Sequence, residues 1–105
     1  MLNNVIINRF LKINLNGQLY IPKDIRRLLP FKEGEMVSVY QMGSDIIIEG
    51  SLKEESIYNK CVYQYGGITI PAEIRNLQKL NHKDLLAMEF SKDGKKLLLR
   101  KKMLK

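Results

Sequence analysis

Three arginines occupy matching places behind an Ile-Pro pair: Arg26 and Arg27 in IPKDIRRL, residues 21–28, and Arg75 in IPAEIRNL, residues 70–77. A guanidinium is a planar fork of donors that fits two oxygens of a phosphate, or the exposed edge of a guanine, at the same time. Arg9, Lys12 and Lys60 stand upstream of these segments, where each could make a contact to phosphate. The competing reading is that the arginines cap short helices or pair with surface acids.

Other chemistry has little to work with. His82 is the only histidine and Cys61 the only cysteine, so neither a Ser/His/Asp nor a Cys/His set can be assembled. A metal site lacks the necessary cluster of ligands, and one thiol cannot close a disulfide within the chain. Asp24 and Glu73 fall at helix starts and Glu54-Glu55 in a charged connector, not in a paired acid/base arrangement. Gly66-Gly67 fits a hairpin better than a phosphate-cradling loop. The expectation is a protein that is not an enzyme and carries no cofactor and no metal.

Composition narrows the partner. The 105 residues carry a formal charge of +7, with 45% hydrophobic and 28% charged residues. Residues 1–50 hold six Lys/Arg against five Asp/Glu, and residues 51–105 hold twelve against six. Such a balance favours an anionic partner such as nucleic acid, although lysines also serve simply to keep a small protein soluble. No apolar run approaches the ~20 residues of a membrane span. The first sixteen residues lack the pattern of a secretory signal, so a cytoplasmic location is expected.

The elements that must position the arginines come in two copies. An offset of 49 residues superimposes Gly17 on Gly66, Ile21 on Ile70, Pro22 on Pro71, Ile25 on Ile74, Arg26 on Arg75 and Leu28 on Leu77. Leu19 then matches Ile68 and Asp24 matches Glu73, while Val37 and Val39 fall on Leu86 and Met88. Each copy is expected to run strand, turn, strand, short helix, strand, turn, strand: residues 8–50 and 59–102, joined by a linker at 51–58.

Leu11, Ile13 and Leu15 alternate with polar residues, the period of a half-buried strand. Asn16-Gly17 marks a hairpin turn, and Pro22 ends the sheet and opens the helix. Ile46-Ile47-Ile48 suits burial on both sides, and Asp93-Gly94 a later turn. In the second copy Cys61, Tyr63 and Tyr65 replace polar residues, which points to a shifted register near Gly66-Gly67 or, preferentially, to a face that meets a partner. Lys95, Lys96, Arg100, Lys101 and Lys102 are expected to guard a sheet edge or extend a phosphate footprint. Ser51 and Glu54 have the spacing of a capping box in the linker. Residues 1–7 and 102–105 are expected to fray or form an edge.

On Gly17, Ile21, Pro22, Asp24, Ile25, Arg26, Arg27, Leu28, Gly34 and Val37–Val39, the first copy resembles the AbrB/SpoVT/MazE family of swapped-hairpin DNA-binding domains. The second copy matches at Gly66, Ile70, Pro71, Glu73, Ile74, Arg75 and Leu77, and the two matches together cover about four-fifths of the chain. The resemblance implies a mainly β fold with short helices, in which two copies interleave their hairpins into one swapped-hairpin β-barrel. The tandem form is similar to the MraZ branch, but Asn14 and Gln18, and Tyr63 and Gly67, stand where that branch carries its Asp and Arg.

The resemblance also implies a prokaryotic transcription regulator binding double-stranded DNA through the first hairpin and the short helix. Carried over, it assigns DNA contacts to Arg26, Arg27 and Arg75. Self-association to a homodimer or higher is compatible with it. The alternatives are an antitoxin-like component that neutralises a toxin partner, or a protein-interaction module using Tyr63 and Tyr65. The chain ends within a few residues of its last expected strand, in a basic LLLRKKMLK, which weighs against the acidic wrapping tail of MazE-type antitoxins.

Overall fold

The computed structural model describes residues 5–50 and 59–102. The linker and its Ser51/Glu54 spacing lie outside the described residues, as do the side chains of Asn8, Asn59 and Lys60. The chain is mainly β with two short helices. The first repeat supplies β1 (Val5–Leu11), β2 (Gln18–Tyr20), α1 (Lys23–Arg26), β3 (Met36–Met42) and β4 (Asp45–Glu49). The second supplies β5 (Asn59–Val62), β6 (Gly67–Thr69), α2 (Ala72–Leu77), β7 (Leu86–Phe90) and β8 (Lys96–Lys101).

Outside the β3–β4 and β7–β8 hairpins, every strand pairing joins one repeat to the other. Six strands form one antiparallel sheet in the order β1-β7-β8-β4-β3-β5, and β2 pairs with β6 in a separate ribbon. The first strand of each repeat therefore lies against the third strand of the other, with Leu11 opposite Leu86 and Cys61 opposite Val37. The fourth strands meet in the middle, where Ile46, Ile47 and Ile48 face Leu99, Leu98 and Leu97. An exchange of repeats maps the strand order onto itself reversed, which is a two-fold pattern of connectivity.

A closed barrel is not what forms: the large sheet is open, with β1 and β5 at its edges. The reason lies in the short strands. Pro22 and Pro71 follow β2 and β6 closely, and a proline both lacks an N–H for the ladder and sets the chain for a helical turn. The ribbon strands stop at three residues each, and among the described residues only the isolated bridges Ile13–Leu19 and Gln64–Gly67 tie them back towards β1 and β5.

The core sits between the inner face of the sheet and the ribbon with its helices. Val37, Val39, Ile46, Ile48, Met88, Leu97 and Leu99 come from the sheet; Leu19, Ile68, Ile70, Ile25 and Ile74 close the other side. Burying each such side chain contributes about 1.5–3 kcal/mol. Ile47 is also buried, so the triple isoleucine is covered on both faces as its composition suggests.

Three other expectations need correction. Leu15 does not continue the buried stripe; it is 78% exposed in the turn after the chain leaves β1. Tyr63 and Tyr65 do not share a partner-facing surface. Tyr63 is buried, edge-to-face with Phe31 at a centroid distance of 5.6 Å, whereas Tyr65 is 86% exposed and held at φ 55°. The second strand thus turns its aromatic inward where the first has Asn14. Lastly, the lysine-rich β8 is no edge: it lies between β7 and β4.

Candidate nucleic-acid interface

Each short helix anchors itself by one isoleucine and sends its arginine across to the other repeat. In α1, Pro22 caps the start in an extended conformation (φ −56°, ψ 145°), Ile25 is buried, and Arg26 reaches the Gly66 turn of the second repeat. In α2, Ile74 is buried and Arg75 reaches the Gly17 turn of the first. The backbone repeats this exchange. Ile21 N–H donates to the Gly66 carbonyl at 2.9 Å, and Ile70 N–H donates to the Gly17 carbonyl at 2.9 Å.

The two arginines are held differently. Arg75 Nε donates to the Ile70 carbonyl at 2.9 Å. Arg26 faces the Tyr63 hydroxyl, while its Nε is buried without a hydrogen-bond partner. Burial pushes the Tyr63 phenol above its ordinary range and the Glu33 charge adds to this, against the opposing charge of Arg26. Both guanidiniums are half-buried, so their first role is to pack the turns.

The turns carry their own devices. In the first, Asn14 Oδ1 accepts the Asn16 and Gln18 N–H groups, each at 2.9 Å. Tyr63 replaces Asn14 in the second and cannot reach its own turn in this way. Instead Glu33, from the first repeat, accepts the Tyr65 and Gly66 N–H groups, each at 2.8 Å. Asn14, Tyr65 and Glu33 show how each copy solves the same problem with different atoms.

Between the turns lies the ribbon. Leu19 and Ile68 point into the core, and the alternation leaves Gln18, Tyr20 and Thr69 on the outer side, with Gln18 opposite Thr69 and Tyr20 opposite Gly67. Asn14 Nδ2 donates to Gln18 Oε1 at 2.9 Å and the Tyr20 hydroxyl to the same oxygen at 3.3 Å, which fixes the Gln18 amide. Gly67 leaves room for the Tyr20 ring, since a Cβ there would stand 2.8 Å from its Cδ1.

The remaining basic residues are scattered. Arg27 is exposed at the end of α1. Arg9 Nη1 donates to both Asp24 carboxylate oxygens, at 2.7 and 2.6 Å, and holds that carboxyl below its usual range. Lys12 is exposed beside the first turn, away from Arg9's pairing. Lys60 lies on β5, the far edge of the sheet. The C-terminal group serves the fold: Arg100 pairs with Asp45 at 2.8 Å, Lys101 with Asp84 at 3.5 Å, and Lys102 sits 4.4 Å from the centre of the Phe10 ring.

The structure therefore brings Arg26 and Arg75 to the two ends of one ribbon, and Arg9 to Asp24 on α1. Glu33, Gln18, Tyr20 and Thr69 were not candidates from sequence. Gln18 and Thr69 lie within the repeated segments, and their outward phase was the available signal. Among the described residues no three His, Cys, Asp or Glu side chains come together to hold a metal ion, and no helix is long and apolar enough to cross a membrane. Compared with protein-family models, curated proteins and solved structures, the chain matches none.

Proposed function

We infer that the chain is a transcriptional regulator that binds double-stranded DNA, its two repeats acting as the fused halves of an AbrB-like swapped-hairpin unit. One observation carries this reading: a two-stranded ribbon, built from both repeats, exposes hydrogen-bonding side chains and ends in arginine-buttressed turns. The major groove of B-DNA admits a two-stranded ribbon, and amide and hydroxyl side chains can contact base edges there. Tyr20 and Thr69 would face the bases. Arg27 and Lys12 would take phosphates, with the exposed parts of Arg26 and Arg75 flanking them. The formal charge of +7 supports an anionic partner.

Fluorescence anisotropy with a pool of short duplexes across a salt series tests the reading. Binding should weaken linearly in log salt with a slope of about −0.9 per phosphate contact, and Arg27→Ala should lower the slope by about one. Thr69→Ala should relax sequence preference while leaving the slope unchanged. Absence of binding at low salt, or binding indifferent to salt and to both substitutions, overturns it.

A second reading rests on the β1 edge. Val5, Ile6 and Phe10 are 57%, 76% and 46% exposed on a strand that, among the described residues, is paired on one side only, which favours self-association of the chain or assembly with another protein. Light scattering with and without Ile6→Lys separates this from a monomeric DNA binder.

A further inference from the structure

The two ends of the ribbon are equivalent in backbone and unlike in chemistry. The 49-residue offset places Lys12 on Cys61, Asn14 on Tyr63 and Glu33 on His82. At the second end the Glu33 carboxylate closes over the turn, its two oxygens taken by the Tyr65 and Gly66 N–H groups. At the first end Asn14 already satisfies the turn from within, so the residue in Glu33's place has no amides to capture. That residue is His82, and it is exposed.

His82 lines an open cleft with Lys12, Asn14, Asn16, Gln18 and Tyr20. Among the described residues no carboxylate lines it. The acid nearest in sequence, Asp84, is occupied elsewhere: it accepts the Asn81 N–H at 2.9 Å and pairs with Lys101 at 3.5 Å. Among the described residues neither Lys12 nor His82 makes a hydrogen bond or ion pair through its side chain. Gln18 adds a directed donor. Its Oε1 receives both Asn14 and Tyr20, which leaves the Nε2 amide free to donate outward.

We propose that this cleft is a phosphate-binding site, in which Lys12 Nζ, a His82 ring N–H and the Gln18 amide donate to the oxygens of one phosphate group. It has no twin, because Cys61 and Glu33 stand at the corresponding places on the second end. The ribbon is therefore polar, with this three-donor grip on a phosphate at its first end only. The phosphate can be a diester of the DNA backbone or the phosphoryl group of a free nucleotide. The first source deepens the DNA-binding reading and rests on it, whereas the second does not.

The test follows the amide signals of Asn16 and Gln18 and the ring signals of His82 by NMR. Wild-type protein is titrated with inorganic phosphate, a 5′-mononucleotide and a short duplex. All three sets of signals should shift together with at least one of these. Lys12→Gln and His82→Gln should each weaken that binding about tenfold, as expected for loss of a charge-assisted hydrogen bond. Both residues are exposed, so melting temperatures should not change, and Lys95→Gln in the distant β7–β8 turn should bind as wild type. Shifts with the duplex alone assign a backbone diester; shifts with mononucleotide or phosphate as well assign a free phosphoryl ligand. Cleft signals that stay still with all three probes overturn the site. A duplex that binds while these signals stay still also overturns it, but leaves DNA binding intact. Phosphate binding without duplex binding has the opposite meaning.

Discussion

The guanidinium of Arg75 fills the space above Gly17: a Cβ built on that glycine would stand 2.5 Å from its Cζ and 2.6 Å from its Nε. Arg26 does the same to Gly66, with its Cζ 2.9 Å from the corresponding point. Each glycine is therefore required twice, once for its positive φ (79° and 74°) and once for the arginine of the other repeat.

Gly17→Ala should cost about 1–3 kcal/mol, combining the penalty of a left-handed alanine with displacement of Arg75. Arg75→Ala in the same chain should recover the steric part but not the conformational one. Urea denaturation of the two single variants and the double variant measures this as a coupling energy, and strict additivity would exclude the proposed contact. Gly66 with Arg26 should behave alike.

Glu33→Ala should free the Tyr65 and Gly66 amides at once. The loss of two hydrogen bonds to a partly exposed carboxylate is expected to cost about 1–2 kcal/mol. Hydrogen exchange should accelerate at these two amides more than in β4 or β8, since the turn opens locally while the sheet stays closed.

The Asp24 carboxyl should titrate below the ordinary aspartate value of about 3.9, chiefly because it accepts hydrogen bonds from Arg9. A carboxyl depressed by folding adds stability that is present above its unfolded pKa and is lost as pH falls through its folded value. NMR titration should find the midpoint low in wild type and moved upward in Arg9→Ala.

Tyr63 gives the alkaline counterpart. Its phenol is pushed up mainly by burial, so the fold favours the protonated form. The associated stability is complete below the unfolded pKa of about 10 and is lost as pH rises through the higher folded value. Tyr63→Phe should flatten the pH dependence of unfolding above pH 10 relative to wild type. Tyr63→Ala should cost about 3–5 kcal/mol at neutral pH by emptying a site packed against Phe31.

The repeat, the order of its elements and most of the core were legible in the sequence, because glycine turns, Ile-Pro boundaries and period-two alternation are local signals. Which strand would pair with which was not. Leu11 and Leu86 carry no mark that they face each other across the sheet, and the halt of the β2–β6 ribbon at two prolines, which leaves the large sheet open, is a matter of three-dimensional reach. Arg26 and Arg75 looked like surface ligands because charge is visible in sequence and half-burial is not. Tyr63 looked like an interface residue because its inward turn depends on Phe31 and on the backbone of Gly34 and Glu35, far back in the first repeat.

The central pairing of β4 with β8 bears on how the chain comes to be folded. Asp45 and Arg100, joined across those strands, are 55 residues apart in sequence. When the first repeat has left the ribosome, β3 and β4 can pair with each other, but β5 and β8, which flank them, do not yet exist. A half-made chain thus carries a two-stranded hairpin with both sides bare and Ile46 and Ile48 uncovered, a form prone to mispairing. Closing such long loops before any contact rewards them slows folding, so assembly should wait for the last strand to emerge.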